Sequence, residues 1–164
     1  MAEGKFVEIV DQNDRVTGRI DRNKVHDTPT LHRSVHVWVF NSREKIFLQK
    51  RPKTMKQYPS LWDSSVGEHT EIGETYEETA HRGLKEELGI TVKHLEFLGK
   101  KAILDKTCFE LIALYKTVFD GRIAPDKHEL EDGKFFTVKE AEELIKKRKT
   151  TPFFAQLFKE YMHE

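Results

Sequence analysis

Disulfide bonds and a dominant charge are both missing from this sequence. Of its 164 residues only Cys108 is a cysteine, and 28 basic residues balance 28 acidic ones. A single thiol cannot form an intrachain disulfide, so we expect a protein of a reducing compartment such as the cytoplasm. The charge balance indicates neither a basic surface for nucleic acid nor a polybasic membrane patch.

Long apolar runs are missing as well. No stretch reaches the roughly 20 apolar residues that a membrane-spanning helix needs. The N-terminal MAEGKFVEIV lacks the apolar core and the cleavage site of a signal peptide. No internal repeat or low-complexity linker divides the chain. We therefore expect residues 1–164 to form a single domain, while the oligomeric state, including a homodimer, is left open.

Short apolar segments typical of strands are interleaved with segments typical of helices. The strand-like segments are residues 6–10, 15–20, 34–40, 45–49, 61–66, 92–101, 109–119 and 134–136. Helices are predicted to follow Thr75, Thr137 and Thr151, the first two with a capping box and the third with proline at its first position. This order predicts an α+β fold, an α-β-α sandwich with a mixed β-sheet between helices.

The first of these helices, ending before Gly89, has one apolar and one acidic side. Glu86 and Glu87 lie side by side, away from the apolar stripe. Adjacent carboxylates repel each other unless a cation lies between them, and oxygen ligands suit Mg²⁺ or Mn²⁺. Arg82 can hold a neighbouring carboxylate. The alternative is a solvated helix face with ordinary pairing of charges four residues apart.

The segment GEHTEIGETYEETAHRGLKEELGI, residues 67–90, resembles the Nudix box. That box marks hydrolases of nucleoside diphosphates linked to another moiety. Seven residues fall in its register: Glu74, Arg82, Leu84, Glu86, Glu87, Gly89 and Ile90. The resemblance implies a Nudix fold and a Mg²⁺- or Mn²⁺-dependent activity on a small-molecule diphosphate.

Two positions depart from the box. Glu68 stands where its first glycine belongs, and Gly83 stands where a glutamate should follow Arg82. In some family members that glutamate binds metal or acts as the base. Close approach of another backbone or a ligand would explain the glycine, and so would loss of selection for hydrolysis. Glu110 and Glu129 are candidates for the base in place of that glutamate. The alternative for each is an ordinary exposed glutamate.

Residues outside the box resemble the isopentenyl-diphosphate isomerase-like branch of the family. The similar stretches are VDQNDRVTGRIDRNKVH, LHRSVHVWVFN and QKRPKTMKQYPSLWDSSVGEH. True isomerases have a cysteine at the position of Gly67, and Cys108 does not replace it by position. Their metal-binding histidines fall at or near His26, His32 and His69, and Glu110 resembles a later ligand. Turn capping or core hydrogen bonding is the alternative for each histidine, and a packing role is expected for His36.

The leading interpretation is a metal-dependent hydrolase that cleaves a diphosphate linkage. Its expected metal ligands are Glu86, Glu87, Glu74, His69 and Glu110, and its expected catalytic residues are Glu87, Glu86, Arg82 and Glu129. Arg51, Lys53 and Trp62, with Lys56, are candidates for substrate contacts. The alternative for the three basic residues is a solvated loop, and the alternative for Trp62 is a place in the core. The first rival function is a catalytically weak or degenerate Nudix module that binds a diphosphate or a partner protein, which Gly83 supports. The second, less favoured, is an isopentenyl-diphosphate isomerase.

Overall fold

The computed structural model describes residues 5–126 and 132–162. Its nine strands form one mixed sheet. The strands are β1 (Phe6–Val10), β2 (Val16–Asp21), β3 (His32–Phe40), β4 (Ile46–Lys50), β5 (Trp62–Asp63), β6 (Val66–His69), β7 (Glu96–Asp105), β8 (Cys108–Val118) and β9 (Asp132–Phe136). The helices are α1 (Tyr76–Leu88), α2 (Val138–Lys146) and α3 (Pro152–Tyr161).

Strand β3 organises the sheet. It runs parallel to β8 along its whole length and antiparallel to β1, β4 and β6. Successive side chains of a strand point to opposite faces, so Val35, Val37 and Val39 pack with α1, whereas Trp38 and Phe40 pack with α3. Both faces of β3 are therefore buried, and the predicted sheet between helices is confirmed.

Local sequence sets the helix boundaries as predicted. Thr75 and Glu78 form both hydrogen bonds of the capping box, and Gly89 ends α1 in the left-handed conformation with a φ of 67°. Thr137 and Thr151 cap α2 and α3, and Pro152 opens α3. Because α1 begins and ends at fixed residues, the direction in which Arg82 and its neighbouring glutamates point is fixed as well.

Several predicted strand limits were wrong. The segment 61–66 is not one extended piece, since β5 ends before Ser64 and Ser65 and β6 begins after them. Strand β7 begins at Glu96 rather than near Val92, and β9 begins at Asp132. The break between β5 and β6 matters for the site, because the hydroxyl of Ser64 contacts the ring of His36 and the hydroxyl of Ser65 donates to the Phe47 carbonyl.

Candidate active site

A cavity of about 430 Å³ opens where β3, β6, the last turn of α1, the start of β8 and the loop after β4 meet. Its lining is rich in ionisable side chains. These include Arg22, His26, His36, Arg51, Glu68, His69, Arg82, Glu86, Glu87 and Glu110. Concave sites with converging charged groups are where small anionic ligands bind, so this cavity is the candidate active site.

Three strands bring together His32, His69 and Glu110, which we call the histidine group. One ligand atom from each lies within 4.8 Å of the others, and among residues 5–126 and 132–162 no other three His, Cys, Asp or Glu residues meet this closely. The two Nε2 atoms of His32 and His69 are 3.3 Å apart. Residues His32 and Glu110 are register partners in β3 and β8, so sheet pairing places these ligands.

Hydrogen bonds orient the histidine group toward a common point. The Nδ1 of His32 lies 2.8 Å from the Thr30 carbonyl oxygen. A carbonyl can only accept, so Nδ1 of His32 donates to it, and this bond turns Nε2 of His32 toward Nε2 of His69. Burial and the charge of nearby His32 lower the pKa of His69 to about 3, which keeps His69 neutral at physiological pH. Neutral imidazoles are the form that binds metal.

Glu110 completes the histidine group and is held in place by Ser34. Burial alone would raise the pKa of Glu110, but the adjacent imidazoles and the Ser34 hydroxyl outweigh it and lower the pKa. The Ser34 hydroxyl donates to Oε1 of Glu110 over 2.7 Å. The result is a buried carboxylate beside two imidazoles, a set of ligands that fits a divalent cation.

A second set of acids, which we call the carboxylate group, comprises Glu68, Glu86 and Glu87. Glu87 is 3% exposed, and its Oε1 accepts from Gln49 over 2.9 Å and from the Gly67 amide over 3.4 Å. Glu86 is on the same helix but has 53% of its side chain exposed. The predicted pair, Glu86 and Glu87, therefore lines one cavity, and α1 positions both residues. Glu87 is buried there, whereas Glu86 is half exposed.

Arg82 connects the carboxylate group to the loop before α1. Its Nε and Nη2 donate to the two oxygens of Glu74 over 2.7 and 2.9 Å, and Nη2 also donates to the His69 carbonyl over 2.8 Å. Its Nη1 lies 3.3 Å from Glu86 and 3.6 Å from Glu68. One guanidinium thus fixes the strand and the helix that carry the acids, as expected of Arg82.

Glu74 is held by several hydrogen-bond donors next to the site. Besides Arg82, its Oε1 accepts from the Glu71 amide and the Thr79 hydroxyl, and Glu74 is not part of the cavity lining. These donors lower the pKa of Glu74 to about 2, even though burial acts in the opposite direction. Glu74 is thus placed to position Arg82, and its role as a metal ligand stays a prediction.

The predicted substrate contacts are only partly brought to the site. Arg51 lines the cavity, and its Nε donates to the Gln57 carbonyl over 3.1 Å. Lys53 and Lys56 are exposed outside the cavity lining. Trp62 belongs to the core, where its ring packs 4.9 Å from that of Phe136. The core alternative therefore holds for Trp62, and predicted base Glu129 lies outside the described residues.

Gly83 and the residues missed by sequence reasoning also lie here. A Cβ at Gly83 would stand 2.6 Å from Cγ1 of Val66, so close approach of β6 explains the glycine. Gln49, Arg22 and Tyr58 line the cavity; all three lie in the isomerase-like stretches, but none was singled out as a site residue. Only the fold brings the three together, since their spacing in the sequence matches no ligand pattern.

His26, His36 and Cys108 also line the cavity. The ring centre of His26 is 6.0 Å from that of His32, and its Nδ1 lies 3.1 Å from the Thr107 carbonyl oxygen. His36 is buried in the cavity wall, where its Nδ1 lies 2.7 Å from the Ser64 hydroxyl. Burial raises the pKa of the Cys108 thiol, which therefore stays protonated near neutral pH.

Comparison with known sequences identifies the family. The NUDIX domain family model matches residues 30–159. An uncharacterized Nudix hydrolase of Streptomyces coelicolor is 32% identical over 130 residues, 77% of this chain and 71% of that protein. An isopentenyl-diphosphate Delta-isomerase of Pectobacterium atrosepticum is 37% identical over 84 residues, 51% of this chain and 47% of the isomerase, so the match spans about half of that relative. This chain belongs to the Nudix family.

Solved structures agree on the fold. A crystal structure of a Deinococcus radiodurans protein matches with a TM-score of 0.86 at 21% identity, covering 97% of this chain and 100% of that one. The NUDIX domain of Shewanella oneidensis NrtR, crystallised with ADP ribose, matches with a TM-score of 0.59 at 17% identity, covering 68% and 75%. The predicted Nudix fold is confirmed. No helix in the described part of the chain is long and apolar enough to cross a membrane.

Proposed function

We propose that this chain is a divalent-metal-dependent hydrolase that cleaves the diphosphate linkage of a nucleotide or another small molecule. The observation that carries the proposal is that one cavity is lined by the carboxylate group and by two members of the histidine group, His69 and Glu110. The bound ADP ribose of the Shewanella domain supports a diphosphate of this size. The expected cofactor is Mn²⁺ or Mg²⁺.

The residues present fit a cation by the chemistry of their ligand atoms. Imidazole nitrogens together with a carboxylate suit a transition-metal ion at the histidine group, for which we propose Mn²⁺ rather than Mg²⁺. Carboxylate oxygens alone suit Mg²⁺ at Glu86 and Glu87. A bound cation would neutralise diphosphate charge and lower the pKa of an attacking water. Arg82 orients Glu86 through its Nη1, and Gln49 and the Gly67 amide fix Glu87.

Cationic side chains supply the contacts that a diphosphate needs. Arg22 and Arg51 line the cavity, one beside the carboxylate group and the other in the loop after β4. Arginine binds phosphate oxygens through several N–H groups in a fixed plane. Lys5, also in the lining, pairs with Glu71 over 3.0 Å. We propose that Arg51 and Arg22 hold the phosphates while the acids face the bond that breaks.

The test is a screen for phosphate release in Mn²⁺ or Mg²⁺ across nucleotide sugars, dinucleotides, ADP-ribose and isopentenyl diphosphate. A hydrolase releases a phosphate product from at least one of these compounds, and Glu87→Gln removes the release. Stabilisation by a compound without any turnover identifies a binding module. Conversion of isopentenyl diphosphate without phosphate release identifies an isomerase, which the glycine at position 67 disfavours because it provides no thiol.

A further inference from the structure

Two departures from the Nudix box face each other in the structure. Position 68 has glutamate in place of glycine, and position 83 has glycine in place of glutamate. The Cβ that Gly83 lacks would stand 3.4 Å from Cβ and 3.8 Å from Cγ of Glu68. The side chain of Glu68, which enters from β6, thus packs against the point on α1 where the missing side chain would begin.

Steric contact makes the two departures one change. A side chain at position 83 would also meet Cγ1 of Val66 at 2.6 Å, which a packed β-branched residue does not tolerate. Glutamates at both positions would in addition place two carboxylates against each other in a buried setting. With Gly83 on the helix, β6 can approach α1 and bring Glu68 between them.

Glu68 points to the acids rather than to solvent. Only 14% of its side chain is exposed, and its Oε2 lies 3.6 Å from Nη1 of Arg82. Its carboxyl group lies beside that of Glu87 and is influenced by the charges of Glu86 and Arg22. Glu68, Glu86 and Glu87 all line the same cavity, and carboxylate oxygens are the ligands that Mg²⁺ and Mn²⁺ prefer.

The neighbouring residue supplies independent evidence that this edge of β6 serves a ligand. His69 follows Glu68 directly and belongs to the histidine group. Successive side chains of a strand point to opposite faces. Glu68 and His69 therefore point in different directions from β6, although both line the cavity. Strand β6 therefore presents one ligand to each of the two groups of the site.

We propose that Glu68 is the third cation-binding carboxylate of the site, with Glu86 and Glu87, and takes the place of the glutamate that the Nudix box has after Arg82. This inference rests on the proposed function, since it assigns a residue to that metal site. It also means that Gly83 marks a moved carboxylate and not a loss of the site.

Mn²⁺ binding to the full chain tests the assignment, with free Mn²⁺ measured by electron paramagnetic resonance. Glu68→Gln keeps the shape and removes the charge, and it should raise the Kd for Mn²⁺ about 10–100-fold. Glu77→Gln is the matched control, because Glu77 is exposed on α1 and outside the cavity lining. It should bind Mn²⁺ as the wild-type chain does. Circular dichroism confirms that both variants are folded.

A second pair of variants moves the carboxylate back to the helix. Val66→Ala with Glu68→Gly opens space beside α1 and should bind Mn²⁺ weakly. Adding Gly83→Glu to that variant should tighten Mn²⁺ binding again, since the charge returns to the same place. A merely structural role of Glu68 would not produce this recovery.

The outcomes separate the assignment from the proposed function. If Glu68→Gln leaves the Kd for Mn²⁺ unchanged, Glu68 is not a ligand, whatever Glu87→Gln does. If Glu87→Gln weakens binding in that case, the proposed hydrolase stands with a different third ligand. If the wild-type chain binds no Mn²⁺ and hydrolyses no diphosphate, both the assignment and the proposed function are wrong.

Discussion

The two ligand groups of the cavity are built in opposite ways. The carboxylate group comes from one segment, the Nudix box, and its Glu86 is more than half exposed. The histidine group comes from three strands, and its His32 is completely buried. The exposed carboxylate of Glu86 is open to exchange of a cation with solvent, whereas the histidine group is a preformed set of ligands around the buried His32. The difference suggests distinct tasks for the two groups, with different preferred metals.

Removing Glu87 should have the largest effect. Because Glu87 is the most buried member of the proposed carboxylate group, Glu87→Gln should lower metal-dependent diphosphate hydrolysis about 10²–10⁴-fold, the range for losing a catalytic acid–base group. Phosphate release at saturating metal measures it, with Glu77→Gln as the unaffected control. Full activity of Glu87→Gln would show that the histidine group acts alone.

Replacing His32 should show whether the two groups bind different metal ions. His32→Gln takes away one imidazole nitrogen, so the affinity for Mn²⁺ should fall about 10–100-fold. The affinity for Mg²⁺, which prefers oxygen ligands, should change much less. Calorimetric titration with each ion measures the difference, and His94→Gln, at an exposed residue, is the control. Equal losses for both ions would mean that the groups bind a single shared cation.

The Glu74–Arg82 pair should affect stability in a pH-dependent way. Because the folded-state pKa of Glu74 is about 2, below its ordinary 4.5, its contribution is present above about pH 4.5 and lost as the pH falls through 2. Glu74→Gln should therefore lower the free energy of unfolding by about 1.5–3 kcal/mol at pH 7. Urea denaturation measures it. A deficit that persists undiminished at pH 2 would contradict the assigned charge interaction.

Gly83→Ala should have the smallest effect on the free energy of unfolding. Whether the variant is less or more stable tests the packing of β6 against α1. Alanine normally stabilises a helix interior by about 1 kcal/mol relative to glycine, but here its Cβ would meet Val66 at 2.6 Å. Overpacking of this kind costs about 1–3 kcal/mol, so we expect a net loss of stability in urea denaturation. Gly18→Ala, whose Cβ would make an ordinary contact at 3.6 Å, is the control. A more stable Gly83→Ala would mean that β6 does not press on α1.

The box helix was predictable because its information is local. Capping by Thr75, the glycine stop at position 89 and the apolar stripe fix which residues share a face. The place of Arg82 beside Glu86 follows directly from helical spacing. The core position of Trp62 and the pairing of Glu74 with Arg82 could not be predicted, because the identity of a residue does not reveal its partners. An indole in the core and one in a cavity wall have the same sequence signature.

By itself, the sequence determined the family and the set of charged residues on one helix, because periodicity and capping depend on near neighbours. Only the tertiary structure decided which of them reach the cavity. It brought His32, His69 and Glu110 together through strand pairing, and it placed Glu68 against Gly83 through the packing of β6 on α1. Contacts between distant segments depend on register and packing, which no local pattern encodes.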